Sequence, residues 1–208
     1  MIPRLHLVTD DEVLHREGFL SQAAEVLEVG GGEVALHLRG PRTEGRVLFS
    51  LALALLEPAR RFGGVLLAND RVDLALALDL RGAHLGQRSI PVEVARDLLG
   101  ADRWLGLSVH NKPEAKEGEE GGADYLLVGT IYPTPSHTHT EPGGIARILE
   151  IRHVSSLPLL AIGGVTPGRI EEILSAGAHG VAVRGGVWDH EDPGAAVEGY
   201  LTTMKGRA

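Results

Sequence analysis

The side chains able to do chemistry recur at the ends of short apolar runs. His37 and Arg39 stand two apart at the end of one run, and Asn69 and Asp70 close the next. His84 lies near the end of another, with Gln87 just beyond it. Ser108 and His110 are again two apart, and Thr130 precedes Tyr132-Pro133-Thr134. Two glycine pairs follow, Gly163-Gly164 and Gly185-Gly186, the second behind Arg184. His110 is the leading catalytic candidate, because an imidazole titrates near neutral pH and suits proton transfer. Paired glycines let backbone N–H groups approach an anion, so Gly163, Gly164, Gly185 and Gly186 read as a phosphate site, with Arg184 adding charge. His37 also reads as an inward-facing histidine, and His84 as a packed or hydrogen-bonded one.

Other chemistries are excluded. The histidines of Ser136-His137-Thr138-His139-Thr140 are two apart, and only Glu141 adds a carboxylate, so this run reads as a solvated loop and no metal site is expected. Asp10 and Asp70 end different runs, so nothing in their spacing makes a carboxylate pair. There is no cysteine, which removes disulfides, thiolate nucleophiles and iron–sulfur clusters. The lysines are Lys112, Lys116 and Lys205, all in charged or terminal stretches. None is placed to lose its proton by burial, which argues against Schiff-base and pyridoxal phosphate chemistry. No cofactor is expected.

These residues need a frame that brings run ends together. The candidate strands are Arg4 to Thr9, Glu33 to Arg39, Gly64 to Asn69, Gly82 to Gly86, Trp104 to His110, Asp124 to Thr130, Pro158 to Gly163 and Gly180 to Gly185. Amphipathic stretches of helical period lie between them: Phe19 to Val29, Val47 to Arg60, Arg71 to Asp79, Pro91 to Leu99, Pro113 to Gly121, Gly144 to Val154, Pro167 to Ala176 and Pro193 to Thr203. Eight alternations in 208 residues predict an α/β fold, a single (β/α)8 TIM barrel spanning residues 1–208. The rival open doubly wound sheet lacks its G-x-G-x-x-G turn after the first strand. In a barrel, these strand ends meet at one mouth.

Composition sets the remaining bounds. A net charge of −8 opposes nucleic-acid binding. No apolar run reaches membrane length and no signal pattern opens the chain, so a cytoplasmic protein without membrane contact is expected. Few amides and many arginines lean toward a heat-adapted source. A homo-oligomer is compatible with the sequence.

The segments Leu36-His37-Leu38-Arg39, Leu67-Ala68-Asn69-Asp70-Arg71-Val72-Asp73, His84-Leu85-Gly86-Gln87, Gly106-Leu107-Ser108-Val109-His110, Gly129-Thr130-Ile131-Tyr132-Pro133-Thr134 and Ala161-Ile162-Gly163-Gly164-Val165-Thr166-Pro167 resemble, in order, the thiamine phosphate synthase / TenI superfamily. The synthase branch joins a pyrimidine diphosphate to a thiazole phosphate with Mg2+. It usually carries Gln-Leu-Arg-Glu-Lys where this chain has His37-Leu38-Arg39-Gly40-Pro41. It usually has an acidic residue where Arg88-Ser89 stand, and a lysine near His137. These departures resemble the TenI branch instead. That resemblance implies a thiazole tautomerase, with His110 as the acid/base of a proton shift that aromatises a carboxythiazole phosphate. It implies a small phosphorylated thiazole as partner, with Arg39, Asn69, Ser108 and Thr134 on the substrate. The alternatives are a Mg2+-dependent thiamine phosphate synthase and a non-catalytic sensor of thiazole or thiamine phosphate.

Overall fold

The computed structural model describes residues 1–134 and 141–206. Eight parallel strands close into a barrel in chain order: β1 Leu5–Val8, β2 Val34–Leu38, β3 Val65–Asn69, β4 Gly82–Leu85, β5 Trp104–Val109, β6 Tyr125–Val128, β7 Leu159–Ile162 and β8 Gly180–Val183. The last strand pairs with the first, Leu5 beside Val181 and Leu7 beside Val183. Both faces of each strand are covered, so strands such as Leu5–Val8 and Tyr125–Val128 are buried throughout. All eight predicted strands form, mostly a residue shorter at one or both ends.

The helices are α1 Asp11–Leu14, α2 Phe19–Gly30, α3 Gly45–Phe62, α4 Val72–Ala77, α5 Val92–Leu99, α6 Lys112–Glu120, α7 Gly144–Arg152, α8 Ile170–Ser175, α9 Gly185–Trp188 and α10 Pro193–Lys205. Each of the longer ones lays one apolar stripe on the barrel. In α3 that stripe is Leu48, Ala52, Leu55 and Ala59, at helical spacing. Burying a leucine of this kind fully is worth roughly 1.5–3 kcal/mol. Asn111 caps α6 and Asp192 caps α10, each accepting a backbone N–H from the first turn. The predicted strand Gly180 to Gly185 stops at Val183, because α9 starts at Gly185. Periodicity does not reveal helices as short as α1 and α9, which are one turn each. Among the described residues, no helix is long and apolar enough to cross a membrane.

Two cores result. The larger lies between strands and helices. The smaller fills the barrel and includes Val8, Ala35, Leu67, Tyr125, Leu127, Leu160 and Ala182. His6, His37 and Asn69 share strand parity with these inward residues, and His84, in register with Asn69 and bonded to Ser108, turns into the barrel with them.

Candidate active site

Beside its aliphatic side chains the barrel holds a cluster of aromatic and polar rings. His6 and His37 are fully buried, and His84 is 1% exposed. His6 Nδ1 lies 2.7 Å from His37 Nε2, and His37 Nδ1 lies 2.9 Å from the Asn69 side-chain amide. His84 Nδ1 is 3.2 Å from the Tyr125 hydroxyl and His84 Nε2 is 2.9 Å from Ser108 Oγ. His84 and Tyr125 stack at 5.6 Å. Gly106 makes this possible, since a Cβ there would collide with both the Tyr125 hydroxyl and His84 Nδ1. Burial holds His37 neutral, with its pKa lowered to about 4. Burial, reinforced by neighbouring rings, keeps His6 and His84 well below the usual imidazole value.

Above these rings, Asn69 ends β3 and Asp70 follows in a left-handed conformation, φ 60°. That conformation is uncommon outside glycine and is tolerated best by Asn and Asp. The Asp70 carboxylate is tied down where it stands. Its Oδ1 accepts the Gly86 N–H at 2.8 Å and the Ser89 hydroxyl. Ser89, in the segment where the synthase branch usually carries an acidic residue, therefore links the β3 and β4 loops through Asp70. Arg39 follows β2, and its backbone N–H donates to Thr9 Oγ1 at 2.9 Å. Among the described residues its guanidinium has no carboxylate partner. Its charge also helps hold His84 neutral, after burial and His37, which puts that charge near the inward-facing His84.

His110 and Ser108 do not act as one pair. Ser108 turns inward onto His84, whereas His110 lies past the end of β5 and is held by α6. Glu114 Oε2 accepts the His110 backbone N–H at 2.8 Å and lies 3.1 Å from His110 Nδ1. The same carboxylate oxygen accepts from Gln87 Nε2 at 3.1 Å, and Gln87 also donates to Ser108 O at 2.9 Å. This puts the His110 proton on Nδ1, and among the described residues Nε2 makes no hydrogen bond. Glu114 was missed from the sequence. Its signal is the capping box: Asn111 accepts the Glu114 N–H at 3.0 Å, and Glu114 Oε1 accepts from Asn111 Nδ2 at 2.6 Å.

The glycine pairs sit on adjacent loops after β7 and β8. Gly163 and Gly164 have φ of 98° and 62°, where only glycine is at ease. A Cβ on Gly164 would run into Tyr132 and Pro133 of the β6 loop. Gly185 and Gly186 open α9, so their N–H groups belong to the first turn of a short extra helix. Tyr200 underlies both loops. Its hydroxyl donates to Val165 O at 3.0 Å and occupies the space that a Cβ on Gly186 would need. Gly186 thus has a packing reason as well as a ligand reason. Arg184 does not carry free charge into this site. Its guanidinium is 2.6 Å from Asp10, 3.0 Å from Asp189 and 3.7 Å from Glu12. Together with Arg16, which pairs with Glu12 and Asp189, it ties β1, β8 and α9 to one another. Thr134 lies in the β6 loop, half-buried. The histidine run Ser136 to Thr140 lies outside the described residues. Among those described, no three His, Asp or Glu side chains converge as a metal cluster.

Residues 5–187 match the model of a family described as thiamine monophosphate synthase. A thiamine-phosphate synthase of Desulfitobacterium hafniense (strain Y51) is 39% identical over 198 residues, covering 95% of each chain. One from Natronomonas pharaonis is 40% identical over 210 residues, covering 98% of this chain and 96% of the relative. A solved structure described as thiamine phosphate pyrophosphorylase from Pyrococcus furiosus superposes with a TM-score of 0.84 at 30% identity, covering 98% and 96%. A 3-hexulose-6-phosphate synthase at TM-score 0.68 and 15% identity shares the fold alone.

These relatives overturn the tautomerase expectation. That expectation rested on a few strand-end departures, around His37, Pro41, Ser89 and His137, whereas the likeness to synthases runs the length of the chain. The acid/base proton shift given to His110 falls with it.

Proposed function

The chain belongs to the thiamine monophosphate synthase family, and from that premise we propose that it is a thiamine-phosphate synthase, a transferase joining a pyrimidine diphosphate to a thiazole phosphate. The observation that carries this reading is the near full-length identity to synthases. The mouth is consistent with it: Arg39, without a carboxylate partner among the described residues, and the fixed carboxylate of Asp70 are both at its rim. In the reaction, the carbon–oxygen bond to diphosphate breaks with its electron pair leaving on oxygen. The thiazole nitrogen lone pair forms the new carbon–nitrogen bond. No proton leaves carbon, so no general base is required.

Arg39 offers a planar, permanently charged fork to the diphosphate oxygens. The backbone N–H groups around Gly163, Gly164, Gly185 and Gly186 are suited to the thiazole phosphate, at the place where barrels commonly hold one. Asn69, Ser108 and Thr134 orient the heterocycles, and His110 contacts substrate through Nε2. A lone carboxylate with one oxygen already occupied does not make a protein cage for Mg2+. It suits an ion that takes most of its ligands from diphosphate and water, with Asp70 supplying the protein oxygen. Bound there, Mg2+ would offset charge on the leaving diphosphate.

The test supplies purified protein with the pyrimidine diphosphate, the thiazole phosphate and Mg2+, and follows thiamine phosphate and diphosphate together. Both should form at equal rates, with Asp70→Asn slower by about tenfold or more. Folded protein that releases neither product would overturn the reading.

A further inference from the structure

The rings inside the barrel take no part in that displacement, yet their hydrogen bonds form two continuous lines up to the mouth. The first line has three links. His6 Nε2 is 3.2 Å from Pro3 O, His6 Nδ1 is 2.7 Å from His37 Nε2, and His37 Nδ1 is 2.9 Å from the amide atom placed as Asn69 Oδ1. Pro3 O can only accept, and a neutral imidazole has a single N–H. His6 must therefore carry its proton on Nε2, which leaves its Nδ1 bare. That bare nitrogen needs a donor, so the His37 proton is also on Nε2. His37 Nδ1 is then bare in turn, and Asn69 must present an N–H to it. The two orientations of an amide share one heavy-atom outline, and the hydrogen-bond network selects between them. Here the proton count puts the Asn69 nitrogen on His37 and turns its carbonyl oxygen away.

The second line runs from Tyr125. The Tyr125 side chain is fully buried, and among the described residues His84 Nδ1 is the hydrogen-bond partner of its hydroxyl. The hydroxyl proton therefore goes to His84 Nδ1. The His84 proton is then on Nε2, donated to Ser108 Oγ. With its oxygen accepting, the Ser108 hydroxyl keeps its own proton to give.

We infer that the two buried lines, Pro3–His6–His37–Asn69 and Tyr125–His84–Ser108, set the polarity of the barrel mouth, presenting a carbonyl acceptor at Asn69 and a hydroxyl donor at Ser108. His6, His37, His84 and Tyr125 are positioning residues. The group that meets Asn69 is an N–H or O–H donor, and an anionic oxygen is repelled there. This moves anion binding to Arg39 and the glycine loops. Only the naming of these groups as substrate contacts rests on the synthase reading.

The experiment is long-range 1H–15N correlation on the uniformly labelled, ligand-free full chain near neutral pH, which tells a protonated ring nitrogen from a bare one. His6, His37 and His84 should all be neutral with the proton on Nε2. A His37 proton on Nδ1 would mean that Asn69 accepts, and would overturn the first line. A His84 proton on Nδ1 would overturn the second. In Asn69→Asp, measured where the 13C shift shows the new carboxylate ionised, neither side-chain oxygen can donate, so His37 should gain a proton on Nδ1. An unchanged His37 tautomer under that condition, with dispersed, folded-type signals, would also overturn the inference. None of these readouts needs turnover, so they stand or fall apart from the synthase assay.

Discussion

Replacing His37 by glutamine should flatten the acid side of the stability curve. The folded pKa of His37 is lowered to about 4 from an ordinary 6.5, and the cause is burial. Between these values the unfolded chain holds a proton that the folded chain refuses, so stability rises with pH across that window. The stability is fully present above the unfolded value and drains away as pH falls toward the folded one. Each pH unit in the window is worth about 1.4 kcal/mol per ring. At about pH 5 the chain is roughly 1.5 units into the window, so His37 alone costs about 2 kcal/mol relative to about pH 7.5. His6 and His84 are depressed by burial as well and push the same way. The carboxylates held low, such as Asp73 beside Arg71, lose their contribution only below their ordinary range of about 4. The window from about pH 7.5 to 5 therefore belongs chiefly to histidines. Urea unfolding at a series of pH values gives the curve. The wild type should lose at least about 2 kcal/mol across the window, and His37→Gln should lose about 2 kcal/mol less. A wild-type curve flat over this range, or equal slopes in the two proteins, would refute a neutral buried His37.

Arg39 and Arg184 should separate in kinetics although both are arginines near the mouth. Arg39→Ala removes a cation that has no carboxylate partner among the described residues and should lower kcat/KM by about 10- to 100-fold, whereas Arg184→Ala takes from Asp10 its 2.6 Å ion-pair partner, while Asp189 keeps Arg16, and should show first as a lower Tm; equal kinetic losses would contradict the placement of the two charges. Gly106→Ala should cost about 1–3 kcal/mol in urea unfolding by driving a methyl group into the Tyr125 hydroxyl and His84. An unchanged unfolding midpoint would show that this ring pair has room to spare.

Much of the fold was legible because its cause is local. Eight short apolar runs bounded by Gly, Asp, Pro and Asn, alternating with helical stripes, already specify the repeating unit of a barrel. Asn69 closes β3 and Ser108 lies near the end of β5, as their runs suggest, and the glycine pairs lie on the loops after β7 and β8. The branch within the superfamily was misread because a few substituted strand ends were weighed above the whole chain. The missing cations and acid belong to a mouth where Arg39 stands near His84 and Ser89 braces Asp70.

Sequence alone determined which side chains could reach the barrel axis and in which order around it. Closure of the sheet decided what each one meets. Arg184 is charge-matched by residues 174 and 5 positions away, Asp10 and Asp189. His6 meets His37 across a separation of 31 positions, and His84 meets Tyr125 across 41. A one-dimensional pattern fixes the face of a strand, because the backbone alternates. It does not fix the partner, because that depends on the register of neighbouring strands and on how far each ring reaches across the barrel. The direction of the buried protons is a property of those completed lines, so it exists only once the eighth strand has paired with the first.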